Sequence, residues 1–582
     1  MDILCRLRLG WRAGRLGLAW TLSWPALAAA QGLPPEIFFT DLQSGPATGG
    51  EQDLGVFVSI YGEGFGAVRG ASTVRFGDVE VARYVSWGED VAPRALDRIV
   101  VQPGPGVSAG PIVVTVGGEA SNPSLFTVRA GGIYFVALGG DDTGPGTLGQ
   151  PWATVAHAED TLAAGDTVFV RHGVTETVED GFGAALAIES GGAPGLPKAI
   201  VAYPGALATL GSTVLEYGVR VPNTGVAPTD LVLAGLVLRG GTSALDLGGD
   251  GASRWRMVGN DISCPVGDGQ TGCFVAALAS YVVLLGNDVH DISQQGPQPS
   301  KQYHAVYFTT DTNFVAVGWN HIHRNRTCRA IQFHSSPLCD PVCGPGDTTG
   351  FNQHHLDVFA NRIDGDVCDG INFATVDPSQ GQVRAWNNVI VRTGAGPTPP
   401  DGDANYAGIH VAGATNNGPD GTGNVEVFHN TLVDCGRAQG VPAGNTDRGA
   451  FSRGPGSPAL VLRLRDNVVV AEGDEPYVSL SSEASLISGS HNLWWGAGAA
   501  PAYLTDNLEA DPLFLDPFDG DYRLSTGSPA IDSAIAAGAA DDHRGANRIV
   551  VPVDRGAFEH VGELFADSFE SADASRWSSV EP

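Results

Sequence analysis

The sequence predicts an all-β protein in which an Ig-like β-sandwich precedes a right-handed parallel β-helix. Three observations predict it. Glycine (80 residues) and proline (37) are abundant and punctuate short Val- and Leu-rich runs, the composition of many strands joined by tight turns. At 582 residues the chain exceeds one ordinary compact domain, so it is either several domains or one elongated repeat. An imperfect repeat is present: an Asn followed two residues later by Ile, Val or Leu recurs at Asn260, Asn287, Asn320, Asn361, Asn387, Asn430 and Asn467, each after a short apolar run. The irregular spacing is that of stacked coils whose loops vary in length while their inward faces stay buried. Such Asn are expected to satisfy turn backbone in successive coils.

The chain opens with Arg6, Arg8, Arg12 and Arg15, an apolar run from Leu16 to Leu27, and Ala28-Ala29-Ala30, the layout of a cleavable export signal over residues 1–30. No later run approaches the length that spans a bilayer. A net charge of −31 argues against a nucleic-acid partner, because phosphate recognition is built on clustered Lys and Arg. It suits an exported protein, monomeric, that holds divalent cations. Export also permits disulfides. Cys264 with Cys273 and Cys339 with Cys343 are near enough in sequence to pair locally, Cys328 and Cys368 can pair between coils, and Cys435 is left over.

Residues 35–129 carry period-two strands at Val56 to Tyr61, Ser72 to Phe76, Ile99 to Gln102 and Ile112 to Val116. The runs Ile60-Tyr61-Gly62-Glu63-Gly64-Phe65-Gly66, Val74-Arg75-Phe76-Gly77 and Gly110-Pro111-Ile112-Val113-Val114-Thr115-Val116 resemble the IPT/TIG domain. From residue 131, Ile133-Tyr134-Phe135-Val136, Gly139-Gly140-Asp141-Asp142, Pro151-Trp152-Ala153-Thr154 and Ala164-Gly165-Asp166-Thr167-Val168 resemble the opening of pectin-lyase-like β-helices, with a capping helix expected over Val155 to Leu162. The helix of coils is placed at 131–500. Within 501–560, Ala510-Asp511-Pro512-Leu513-Phe514 and Asp554-Arg555-Gly556-Ala557-Phe558-Glu559 resemble the choice-of-anchor Q segment, and 561–582 reads as a terminal tail.

Four strands align: Ala305-Val306-Tyr307-Phe308-Thr309, Ala330-Ile331-Gln332-Phe333-His334, Gly370-Ile371-Asn372-Phe373-Ala374 and Gly408-Ile409-His410-Val411-Ala412. Strand alternation sends Tyr307, Gln332, Asn372 and His410 outward in one column, and Thr309 and His334 in a second. Extending the register places Asp246 and Phe274 in the first column. Ala305, Ala330, Gly370 and Gly408 are expected to form a flat floor, and His304, Arg329 and Asp369 to stand at the corner. Aromatic, imidazole, guanidinium and carboxylate groups together predict a polysaccharide-binding strip over Asp246, Phe274, Tyr307, Gln332, Asn372 and His410.

The resemblance implies action on an acidic polysaccharide. Lyases of this fold abstract the proton α to a uronate carboxylate, which needs a base and a cation to neutralise the carboxylate. Lys is nearly absent elsewhere, so Lys301 is the candidate base, with Arg329 or Arg326 as neutraliser and His304, His334 or His410 as alternative acid/base groups. Asp364, Asp366 and Asp369 are expected to hold Ca2+. Lys198 reads as a surface residue in a turn. Two other readings stay open: a glycoside hydrolase using carboxylates among Asp246, Asp369 and Asp377, and a non-catalytic glycan-binding surface protein or adhesin.

Overall fold

The computed structural model describes residues 35–91, 96–335, 352–413, 421–441, 447–496, 498–535, 542–543 and 552–560. The expected export signal, the terminal tail and the Cys339/Cys343 pair lie outside them. No described helix is long and apolar enough to cross a membrane.

The protein is all-β, a β-sandwich followed by a right-handed parallel β-helix. In the sandwich, strands such as Val58–Glu63 and Leu96–Gln102 form a four-stranded antiparallel sheet, facing a second sheet that contains Thr73–Phe76 and Gly110–Val116. Alternation puts Ile60, Val74, Phe76, Ile99 and Val114 in a dry core between them.

Each later coil gives one strand to each of three parallel sheets. Ser280–Leu285, Asp288–Ile292 and His304–Thr309 form one coil; Asn313–Gly318, His321–Asn325 and Arg329–His334 stack on it. The first and second sheets reach twelve strands and the third nine. The helix Val155–Thr161 closes the first coil, its N-terminus capped by Thr154, whose hydroxyl accepts from the His157 amide at 3.2 Å. A cap is needed because a stack of strands otherwise ends in unpaired backbone groups.

Between the first and second sheets the chain turns sharply, and a buried Asn ladder runs through the turns. Asn287 Oδ1 accepts from the Asn260 amide (2.9 Å) and Nδ2 (3.0 Å); the same pair of bonds joins Asn287 to Asn320, Asn320 to Asn361, and onward through Asn388, Asn430, Asn467 and Asn492. The fifth rung is thus Asn388, correcting Asn387. The residue before each ladder Asn adopts a left-handed backbone, and Asn387 (φ 55°) occupies that position. The same position is Gly259 and Gly286 in two coils, where a Cβ would sit 2.6 Å from the Tyr61 hydroxyl and 2.5 Å from the Phe39 ring of the sandwich.

The outer faces of the sheets have different neighbours. The sandwich packs on the first sheet: Phe169, Val201, Val232 and Leu285 join its core, and Phe57 meets Phe169 edge-on at 5.1 Å. Arg256 donates to the Thr40 carbonyl at 2.6 Å across this contact. Part of the 501–560 segment packs on the second sheet, with Tyr522 and Ala557 against Val389, Val391 and Val433.

Cys264 bonds Cys273 and Cys328 bonds Cys368, while Cys435 is a buried free thiol. Lys198 is not a surface residue. It is fully buried, and its amine reaches Glu159 Oε1 (3.2 Å), the Glu159 carbonyl (2.9 Å) and Ser190 Oγ (2.5 Å). The ammonium ties the capping helix to the first coils, because a buried charge must be paired.

Replacing one rung, Asn361→Ala, leaves the Asn320 backbone amide without an acceptor and its side-chain amide with only the Leu284 carbonyl. We expect a loss of about 1–3 kcal/mol for the stranded amide, read as a lower urea midpoint; an unchanged midpoint would contradict the role of the ladder.

Candidate active site on the third sheet

The outer face of the third sheet carries most of the expected strip in register. Asp246 pairs with Val275, Val275 with Tyr307, and then Gln332, Asn372, His410 and Ser452 follow coil by coil. Thr309 and His334 pair in a second outward column, and His304 pairs with Arg329 at the corner.

Two expectations fail. Phe274 pairs with Val306, not Tyr307, and is fully buried inside the coil with its ring 5.4 Å from that of Phe308. A slip of one residue moves a side chain to the opposite face, so Val275 takes the outward place. Nor do the small residues make an outer floor. Ala305 and Ala330 lie in the core, and a Cβ on Gly370 or Gly408 would meet Ile390 at 3.0 Å or Leu432 at 2.5 Å. The strands bend at the corner, so that 305 and 306 both face inward. Only a small side chain fits there against the second sheet.

Asp369 organises the corner from a fully buried position. Its Oδ2 accepts from Arg329 Nε (3.1 Å) and Asn372 Nδ2 (2.6 Å), and its Oδ1 from the Ala407 amide (3.0 Å). Arg329 also donates to the Lys301 carbonyl at 3.2 Å. The guanidinium is therefore fixed in direction by these two contacts. His304 packs edge-on against Tyr307 at 4.8 Å, and the Tyr307 hydroxyl lies 3.4 Å from His334 Nδ1. Burial, reinforced by the nearby Arg329 charge, holds His304 well below the ordinary imidazole range and lowers His334; burial also lowers His410 and raises the Tyr307 phenol and the Asp246 carboxyl. At neutral pH the three rings are neutral bases beside a fixed cation.

The strip is unusual in its unmet hydrogen bonding. Gln332 Oε1, Asn372 Oδ1, His410 Nδ1 and Ser452 Oγ, in four successive coils of one column, and His304 Nδ1 at the corner are buried without a hydrogen-bond partner. Buried polar groups are normally paired, so such a row marks a place that expects a polar ligand or ordered water.

Other expected residues fall elsewhere. Lys301 sits at the edge, its amine donating to the Asp403 carbonyl at 3.2 Å and its amide to Asp401 at 2.9 Å. Arg326 is bound to the carbonyls of Ser293 and Gln294, both at 3.1 Å. Asp377 is held by Ser379, Gln380 and Thr422 in a loop. The calcium cluster is not assembled. Asp364, on the second sheet, is paired with Arg362 (2.6 Å) and His321 (2.8 Å); Asp366 is buried in the turn against Asn325; Asp369 is committed to Arg329 and Asn372. Three Asp in six residues are dispersed because the chain turns a corner between them. Ser452, which no sequence reading picked out, joins the strip through strand Arg448–Gly456, and its only signal was the register.

No protein-family model and no curated protein matches this chain. Among solved structures it is similar to a pectate lyase (14% identity, TM-score 0.43, covering 74% of this chain and 97% of that one). It is also similar to a rhamnogalacturonan lyase (13%, 0.35, 66% and 90%) and to an alginate lyase from a Paenibacillus species (15%, 0.30, 61% and 94%). At these identities the likeness concerns the fold alone.

A histidine buried as a neutral base contributes stability that is fully present above its unfolded value, near 6.5, and is lost as pH falls toward its lower folded value. From pH 7.5 to 5 we therefore expect His304 to add up to about 1.4 kcal/mol of lost stability per pH unit. Urea unfolding at each pH reads this, and His304→Asn should show a shallower decline; parallel curves would contradict it.

Proposed function

We propose that this chain is an exported, carbohydrate-active β-helix protein whose third sheet cleaves a uronate-containing polysaccharide by β-elimination. The observation that carries the reading is the row of buried, unpartnered polar atoms beside Arg329 on one sheet face. A sugar chain on this face meets the half-buried Tyr307, Arg329 and His334, which border the buried row. In this reading Arg329, aimed by Asp369, neutralises the uronate carboxylate and makes the adjacent C–H acidic. His334, neutral and beside the site, takes that proton. The electrons form the C4–C5 double bond as the glycosidic C–O bond breaks, and the Tyr307 phenol, kept protonated by burial, supplies a proton to the departing oxygen. Lys301 is set at the rim, since its amine is engaged with the Asp403 carbonyl. The sandwich, read as an IPT/TIG module, acts as a spacer, and the C-terminal segment as a choice-of-anchor element.

The net charge of −31 opposes approach of a polyanion, so counter-ions matter to binding. The test is absorbance of unsaturated uronate from a panel of polyuronates, with and without calcium. Product is expected from the wild type, with Arg329→Ala and His334→Ala each losing about 10²-fold or more and Lys301→Ala retaining most activity. Loss centred on Lys301→Ala would return the base to that residue. Polymer retained unchanged by the wild type would replace catalysis with glycan binding, and new reducing ends without unsaturation would mean hydrolysis.

A further inference from the structure

The outer face of the second sheet carries a different chemistry. The residues one and three positions after successive ladder Asn stand in two adjacent outward columns: Asp261, Asp288, His321 and Arg362 in one, Ser263, His290, His323 and Asp364 in the other. At their centre, ligand atoms of Asp288, His321 and His323 lie within 4.8 Å of one another. Asp288 Oδ1 is 3.0 Å from His323 Nε2 and 3.8 Å from His321 Nδ1, and the two imidazoles stack at 4.1 Å.

We propose that Asp288, His321 and His323 bind one divalent transition-metal ion of the zinc class, clamping two adjacent coils. Geometry and hydrogen bonding support this independently of the third-sheet site. Two ligands on one tetrahedral zinc stand about 3.4 Å apart, between the two separations observed. His321 is buried, and its Nε2 is held at 2.8 Å by Asp364, which Arg362 anchors in turn at 2.6 Å. A carboxylate can only accept, so Nε2 carries the hydrogen and Nδ1 presents a lone pair. That Nδ1 is buried without a hydrogen-bond partner, facing the carboxylate oxygen of Asp288. Two electron-pair donors so placed, at a separation too long for a hydrogen bond, suit a cation between them. A carboxylate on the far nitrogen is also the usual support of a metal-binding histidine. Two imidazole nitrogens with one carboxylate favour zinc or its first-row neighbours over calcium, which prefers six or more oxygens. The side chains of Asp288 and His323 keep about a fifth of their surface exposed (22% and 20%), which leaves a fourth position for water.

The test uses untagged full-length protein, stripped with chelator and titrated with zinc chloride by calorimetry. One tight equivalent is expected, with cobalt(II) giving the visible absorption of a tetrahedral site. His321→Ala opens a buried position and can unfold the chain, so the informative variants are Asp288→Asn and His323→Ala, checked for native far-UV circular dichroism. Each should weaken binding by at least about tenfold and abolish the zinc-dependent rise in Tm. Absence of a stoichiometric site in the wild type, or unchanged affinity in both folded variants, would overturn the proposal.

Discussion

The structure depends on how the chain satisfies its backbone where it leaves one sheet and enters the next. In a solenoid these turns are stacked and buried, so their amide groups meet neither water nor a strand partner. The Asn ladder resolves this: one side chain accepts from the rung before it and donates back to buried carbonyls, such as Asn320 to Leu284. No other side chain has both functions at that reach. Because each rung fixes the turn, residues one, two and three positions later are fixed on the second sheet, and variable loops elsewhere do not disturb the register.

Given that register, the exterior is divided among three tasks. The first sheet presents apolar side chains to the sandwich and so becomes an internal wall. The second is partly covered by the C-terminal segment, where Arg362 reaches the Gly520 carbonyl at 2.9 Å. The third gathers Arg329, Asp369, Tyr307, His304 and His334, which come from strands 25 to 40 residues apart in sequence. The ion pair of Arg329 with buried Asp369 is worth more for direction than for stability, since desolvating both groups consumes much of their attraction.

The column of Tyr307, Gln332, Asn372 and His410 was legible because four strands share one apolar pattern, and period-two alternation leaves a single consistent register. Phe274 was misplaced because its strand is apolar on both sides, so the pattern does not say which residue faces in. Ala305 and its counterparts misled for a different reason: alternation breaks at a corner, and a small residue that reads as a floor is a close approach. Lys198 looked like a turn residue, and only its partners Glu159 and Ser190, 39 and 8 residues away, made burial affordable. Asp364, Asp366 and Asp369 looked like one site because they are neighbours in sequence, whereas the coil sends them to three environments.

By itself the sequence determined the architecture: the repeat of Asn and apolar strands, with motifs resembling the opening of known β-helices, points to stacked coils that bury their inward faces on one another. It also determined most of one outward column. Which residues meet across coils was decided only by tertiary structure, because loop lengths between rungs set which strand lies beside which. The pairing of Asp288 with two His from the next coil, and of Arg329 with an Asp 40 residues on, is invisible to local spacing and follows from the stacking alone.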